Sequence, residues 1–217
     1  MLKLNFKNPE QTGYKVLCLG AHSDDIEIGC GGTILRLAKE CNIQELWWVV
    51  FAAKEQRASE ARESANFFLE GVPKQNVIIQ SFRDGFFPYS GAEIKDYFEE
   101  LKAMASPDVI FTHYRQDLHQ DHRLVSDLTW NTFRDHVILE YEIVKYDGDL
   151  GSPNLFIHLT DDICRKKIRY IQGCFKTQGN RNWFAEDTFL SILRLRGIEC
   201  NAPDKYAEAF YCRKMVL

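Results

Sequence analysis

The stretch Tyr14–Ala21, YKVLCLGA, runs without a break into His22–Gly32, HSDDIEIGCGG, and the two halves together decide the fold. The first half is almost wholly apolar, the composition of a strand covered on both faces. The second half carries an imidazole, three carboxylates and the glycines Gly29, Gly31 and Gly32. A buried strand that empties into a polar loop opens an α/β unit, and in open sheets of that kind ligands sit outside the carboxyl ends of the strands. His22, Asp24, Asp25 and Glu27 therefore fall at the functional edge.

Outward from that point the chain alternates. Thr33–Cys41 reads as a helix, Glu45–Ala52 (ELWWVVFA) as a second buried strand, and Ser59–Leu69 as a helix ended by Gly71, Val72 and Pro73. Val77–Gln80 reads as a short third strand, Ala92–Ala105 as a helix stopped before Pro107, and Val109–Thr112 as a fourth strand. Leu118–Phe133 follows as loop and helix, and Val137–Tyr146 as a fifth strand. Further on, Asn154–Leu159 and Glu208–Cys212 read as strands, Asp161–Phe175 and Ala185–Arg196 as helices. Strand and helix in turn predict an α/β fold with a mostly parallel sheet. No repeat, low-complexity tract or linker divides the chain, so residues 1–217 are expected to form one domain.

Composition narrows the function classes. With 45% hydrophobic residues, 27% charged residues and a net charge of −4, nothing global favours nucleic acid or an anionic membrane as partner. No apolar run approaches the roughly 18 residues of an integral membrane segment, and Met1–Gly13 lacks the apolar core of a secretory signal. The seven cysteines are odd in number and none stands in a Cys-x-x-Cys pair, which fits a reducing, cytoplasmic setting.

Anionic density such as that of Asp24, Asp25 and Glu27 is costly in a loop unless solvent or a cation compensates it. A divalent metal would do so, and histidine beside aspartate suits zinc. The glycines alone are a weak sign of a phosphate loop, and the neighbouring carboxylates would repel a phosphate; a close approach of the following helix is the better use for them. A second cluster, His113–His122 (HYRQDLHQDH), begins where the fourth strand ends and contains three of the six histidines. In a doubly wound sheet the first strand and the one beyond the topological switch can lie side by side, which would turn both loops into one cavity.

These residues resemble the GlcNAc-PI de-N-acetylase (PIG-L) or LmbE-like family of zinc-dependent deacetylases. The family's first motif, Ala-His-Pro-Asp-Asp before a glycine-rich turn, stands here as Ala21-His22-Ser23-Asp24-Asp25 with Gly29-Cys30-Gly31-Gly32. Its second, His-x-Asp-His, stands as His119-Gln120-Asp121-His122, preceded by His113 and Asp117. The similarity spans most of the chain and weakens beyond Asp149. It implies a Rossmann-like three-layer fold and one zinc ion (Zn2+) per chain, held by His22, Asp25 and His122. It also implies Asp24 as general base and His119 as stabiliser of the oxyanion, with Asp121 beside it; His119 is expected to act in its protonated form, with Asp121 favouring the imidazolium by charge and hydrogen bonding. The implied substrate is a small N-acetylated amino sugar of the N-acetylglucosamine kind, and related proteins often form homo-oligomers. Ser23 departs from the family's proline; it gives up the fixed φ but neither adds nor removes a metal ligand.

Lesser candidates surround this centre. Arg57 lies just beyond the second strand and is expected to contact substrate, the alternative being a solvated pair with Glu60. His113 and Asp117 are expected to orient the second loop rather than to bind the ion. Phe86, Phe87 and Tyr89 form an aromatic loop suited to a sugar ring or a neighbouring subunit, and Gln178–Trp183 could line the mouth. Trp47 and Trp48 read as core. Three other functions share part of this pattern. Two histidines and a carboxylate also describe the facial triad of non-haem iron oxygenases, although the α/β alternation and Asp24 beside the ligand do not. A non-catalytic sugar-binding module would be expected to have lost metal or base positions, and all stand intact. An amidase of sugar–thiol conjugates shares every motif.

Overall fold

The computed structural model describes residues 13–216; the amino-terminal stretch read for a secretory signal lies outside them, save for Gly13. Seven strands are present: β1 (Tyr14–His22), β2 (Ile43–Ala52), β3 (Lys74–Ile79), β4 (Val109–His113), β5 (Val137–Tyr141), β6 (Leu155–Leu159) and β7 (Tyr206–Cys212). Between them run α1 (Asp25–Glu40), α2 (Glu55–Phe68), α3 (Gly91–Met104), α4 (Gln120–Thr132), α5 (Asp161–Cys174) and α6 (Glu186–Glu199). The strands form one sheet in the order β3-β2-β1-β4-β5-β7-β6. β1 to β5 are parallel to one another, while β7 lies antiparallel to both β5 and β6. The fold is thus the mostly parallel α/β three-layer arrangement that the alternation predicts.

Both faces of the central strands are covered, which is why those strands read as unbroken apolar runs. Val16, Cys18, Trp48, Val50 and Phe111 pack with Ile26, Ile34, Ala61, Phe68 and Ile168, the side of α1, α2 and α5. The intervening residues Leu17, Leu19, Val49, Phe51 and Ile110 pack with Ile94, Phe98, Leu101 and Val125, the side of α3 and α4. Side chains that alternate across a strand thereby feed two cores. Trp48 is fully buried and Trp47 packs against the second core, so both tryptophans are structural.

The site follows from the pairing of β1 with β4, in register from Val16↔Val109 to Cys18↔Phe111. Their carboxyl ends lie side by side at the point where the strand order reverses. Two sequence-based boundaries shift there in an informative way. Helix α1 begins at Asp25, not at Thr33, and its buried face carries the whole glycine cluster. Three glycines lower helix propensity, but each admits a close neighbour. A Cβ on Gly29 would stand 2.1 Å from the Tyr141 ring, one on Gly31 2.6 Å from Phe68, and one on Gly32 2.5 Å from Leu159. Packing therefore overrides propensity. Strand β5 ends at Tyr141 rather than Tyr146, and the next residue, Glu142, is turned to Arg196, with Nε–Oε1 and Nη2–Oε2 contacts of 2.6 and 2.7 Å.

Tyr141 is the fixed wall of this arrangement. It is fully buried, and its hydroxyl donates to the Leu19 carbonyl at 2.6 Å. Gly29→Ala should therefore destabilise the protein by about 1–3 kcal/mol, the usual cost of an extra methyl in a close-packed interior. Urea denaturation measures it, and an unchanged midpoint would mean that α1 can back away from β5.

Candidate metal centre

Each element contributes at its end. β1 finishes in His22, and Ser23 and Asp24 make the two-residue step into α1, whose first residue is Asp25. β4 finishes in His113, and a loop carries Asp117 and His119 to the start of α4, where His119 is the N-cap and Asp121 and His122 occupy the first turn. His22, Asp24, Asp25, His113, Asp117, Asp121 and His122 are all buried. Both helices direct their amino ends at the site, a placement that favours carboxylates in their first turns.

Three ligand-type atoms from the two loops meet at one point. His22 Nδ1 lies 3.1 Å from His122 Nε2 and 3.4 Å from Asp25 Oδ2, and the latter two are 3.5 Å apart. Two ligands bound to a tetrahedral zinc ion at about 2.0–2.1 Å stand about 3.3 Å apart, so the spacing fits the ion. Other groupings in the cluster, namely His22–His119–His122, Asp25–His113–His122 and His22–Asp84–Asp121, also lie close enough to share a cation. His113 is otherwise engaged: its Nε2 accepts the Ala21 amide at 2.9 Å and lies 3.3 Å from the Tyr141 hydroxyl.

The surrounding hydrogen bonds set the imidazole tautomers. His122 Nδ1 donates to Asp117 Oδ2 at 2.9 Å, which leaves Nε2 with its lone pair toward the centre. Asp117 is itself held by Lys145 Nζ at 3.0 Å and accepts the His119 amide at 2.8 Å. On the other side, His22 Nε2 faces Asp84 Oδ1 at 3.1 Å and Asp121 Oδ2 at 3.3 Å. The carboxylate of Asp121 also accepts the amides of Gly85 and Phe87, at 2.6 and 3.1 Å. Asp121 is therefore turned to His22 and the loop after β3. Its link to His119 runs through its own amide, which donates to Nδ1 at 3.3 Å.

Charge follows from these contacts. Burial opposes a proton on His22, but Asp25, Asp121 and Asp84 outweigh it and raise its pKa well above the ordinary imidazole value. Burial, with His113 nearby, brings His122 down to about 4, so its ring is neutral. Burial would raise Asp25, yet His122, His113 and His22 hold it well below the usual carboxylate range. Burial and the charge of Asp25 push Asp24 up to about 6. Burial also raises Glu27 well above its usual range, which disfavours its charge within the anionic density read in the sequence. His119 is lowered by burial and by His22, against the expected imidazolium, because the Asp121 carboxylate is turned to His22 and only its amide meets His119; with Nδ1 accepting, the neutral ring presents Nε2–H.

The rim is partly as expected. Arg57, in the first turn of α2, donates to Asp84 Oδ2 at 2.9 Å and to Ser23 Oγ at 3.3 Å. Its expected alternative partner Glu60 instead accepts from the Thr177 amide and hydroxyl, at 3.1 and 2.5 Å. That bond ties the start of the Gln178–Trp183 segment to α2. The aromatic loop divides: Phe87 is buried beside the His22 ring, 6.1 Å between centroids, whereas Phe86 and Tyr89 are exposed. Sequence reasoning missed Asp84, which contacts both His22 and Arg57. Its position after β3, on the same edge as the other site loops, is the signal that could have found it.

A sheet of this order with a buried histidine–aspartate group at its switch point defines an α/β protein with a centre that could bind a metal. The family described as PIG-L: GlcNAc-PI de-N-acetylase matches residues 17–133, more than half of the 217 residues, and the chain belongs to it. Among solved structures, N,N'-diacetylchitobiose deacetylase from Pyrococcus horikoshii superposes with a TM-score of 0.69 at 24% identity, over 96% of this chain and 86% of the other. The 4-carboxy-2-hydroxymuconate hydratase from Pseudomonas putida KT2440 gives 0.71 at 16% identity, over 94% and 98%. The zinc-inhibited form of teicoplanin deacetylase Orf2 gives 0.70 at 12%, over 91% and 97%. At these identities the superpositions establish the architecture, which carries a hydratase as well as deacetylases.

Because His22 holds a proton in the metal-free protein, a cation entering the centre must displace it. Zinc titration at pH 7 in buffers of differing protonation enthalpy should release about one proton per ion, and affinity should fall about tenfold per pH unit on acidification. Calorimetry checks both, and an affinity flat between about pH 6 and 8 would contradict the charge assignment to His22.

Proposed function

We propose that this protein is a zinc-dependent N-deacetylase that removes the acetyl group from an N-acetylglucosamine-type amino sugar or its conjugate, within one catalytic unit. Family membership supports the reaction class, and the convergence of His22 Nδ1, Asp25 Oδ2 and His122 Nε2 within 3.5 Å carries the reading of the metal. Three protein ligands leave a coordination position open, the arrangement of catalytic rather than structural zinc. Bound there, zinc supplies acidification of a water molecule toward a pKa of about 7 and polarisation of a carbonyl.

The chain's own residues complete the chemistry. Asp24 adjoins the ligand Asp25 and is buried, and its pKa near 6 places its carboxylate close to the value that serves a base at neutral pH. Asp24 takes the proton of the attacking water and returns it to the amine nitrogen as the C–N bond breaks. His119, beside both histidine ligands with ring centroids 4.9 and 4.5 Å away, offers Nε2–H to the amide oxygen as charge develops on it. Asp117 and Asp121 keep the two ligand imidazoles in the required tautomers. Arg57 and Asp84, partly exposed at the mouth and paired with one another, provide a donor and an acceptor for sugar hydroxyls.

Metal analysis coupled to acetate release across a panel of N-acetylhexosamine glycosides and sugar–thiol conjugates tests this reading. Stoichiometric zinc with no acetate from any member would defeat it. Asp24→Asn should keep its zinc and lose about 10²–10⁴-fold in kcat, the range for a general base. His119→Ala should lose about 10²–10³-fold with zinc retained, as for one oxyanion donor. His122→Ala should lose stoichiometric zinc altogether; full occupancy in that variant would remove His122 from the ligand set.

A further inference from the structure

Helix α1 does not bond only to itself. Lys167 of α5 and Glu208 of β7 form an ion pair, Nζ to Oε1 at 2.6 Å, with both side chains 2% exposed. The pair is spliced into the middle of α1. Glu208 Oε1 accepts the amide of Gly32 at 2.8 Å and Oε2 that of Thr33 at 2.6 Å. Lys167 Nζ donates to the carbonyl of Ile28 at 2.7 Å. Within a regular helix the Gly32 amide would take the Ile28 carbonyl, and the Thr33 amide that of Gly29. A carboxylate and an ammonium thus stand where the helix would ordinarily close its own ladder. The absent side chain of Gly32 is what admits them, since a Cβ there would come within 3.0 Å of Glu208 Oε1.

The splice falls one turn beyond Asp25. It separates a leading part of this continuous helix, which bears Asp25 and follows directly on Asp24, from a trailing part that begins with two amides bonded to the Glu208 carboxylate. The leading segment is fixed at its far end by Lys167 and along its side by Gly29 against Tyr141. A buried ion pair is poor value as stabilisation alone, because apolar replacement of both partners is often neutral or favourable. Its use here is directional.

We propose that Lys167 and Glu208 are positioning residues for the metal centre: by opening the ladder of α1 between Ile28 and Thr33, they set the rotation that brings the Asp25 carboxylate onto His22 and His122. The proposal rests on the reading that those three residues hold the ion. Neither Lys167 nor Glu208 lies in the part of the chain that the family match covers.

The test replaces both charges with apolar groups of similar size, Lys167→Met with Glu208→Leu, and compares three readouts with the wild type. These are the urea midpoint, the affinity for cobalt(II), and the visible spectrum of the cobalt-loaded protein, which reports coordination geometry without any turnover. The expected result is a folded variant whose midpoint stays near that of the wild type, while cobalt affinity falls at least about tenfold and the spectrum changes. Glu208→Gln, which preserves volume and one acceptor oxygen, serves as the second variant and should give a smaller change of the same kind. Wild-type affinity and spectrum in either folded variant would overturn the proposal. Failure of both variants to fold would also overturn it, by making the pair a requirement of the fold as a whole. A wild-type protein that binds neither cobalt nor zinc would instead overturn the metal reading on which it rests.

Discussion

The contact on which the structure turns is the approach of the first two turns of α1 to the β1–β4–β5 edge. The helix can lie this close because Gly29 meets the buried Tyr141 ring without a side chain of its own. That approach lets Asp25 reach across to a histidine on α4. Every other feature of the centre is arranged around it. The Tyr141 hydroxyl is anchored to the Leu19 carbonyl, so the wall is fixed to the strand that delivers His22. Relaxing the contact would move the carboxylate away from both imidazoles at once.

The centre is also strongly polarised. Its carboxylates do not share one environment. Asp25 is held ionised by three imidazoles, whereas Asp24, one residue away, is pushed toward protonation by burial and by Asp25 itself. Such separation of adjacent like groups is what the proposed function requires of one ligand and one base drawn from the same pair. The outer carboxylates Asp117 and Asp121 hold the rings of His122 and His22 on opposite sides, and each accepts further donors. The imidazoles are thus oriented by groups that belong to rigid backbone turns rather than to free side chains.

Much of this was legible in the sequence, for a physical reason. Strands covered on both faces write themselves as apolar runs, and motif residues placed at their ends inherit a position from the architecture. The two loops could therefore be brought together on paper although distant in sequence, while the choice of His22, Asp25 and His122 within them came from the resemblance to the family. What escaped reading depended on neighbours that no local pattern reveals. The start of α1 was displaced because three glycines argue against a helix until their packing partners are known. Asp84 is a single aspartate in a short loop, without spacing or repetition to mark it. Lys167 and Glu208 sit on a helix and a strand whose periodicities predict surface or core, and only the tertiary fold makes them partners. The protonation state of His119 likewise emerged from burial, which composition does not record.

The placement of β7 has a bearing on how the molecule is made. It lies between β5 and β6, yet it follows β6 in the chain only after α5 and α6. β6 therefore leaves the ribosome with two helices still to be synthesised before its sole sheet neighbour exists. Until then both it and the outer edge of β5 present open backbone to solvent, the kind of edge that invites wrong pairing. Placing β7 between them covers both of those edges.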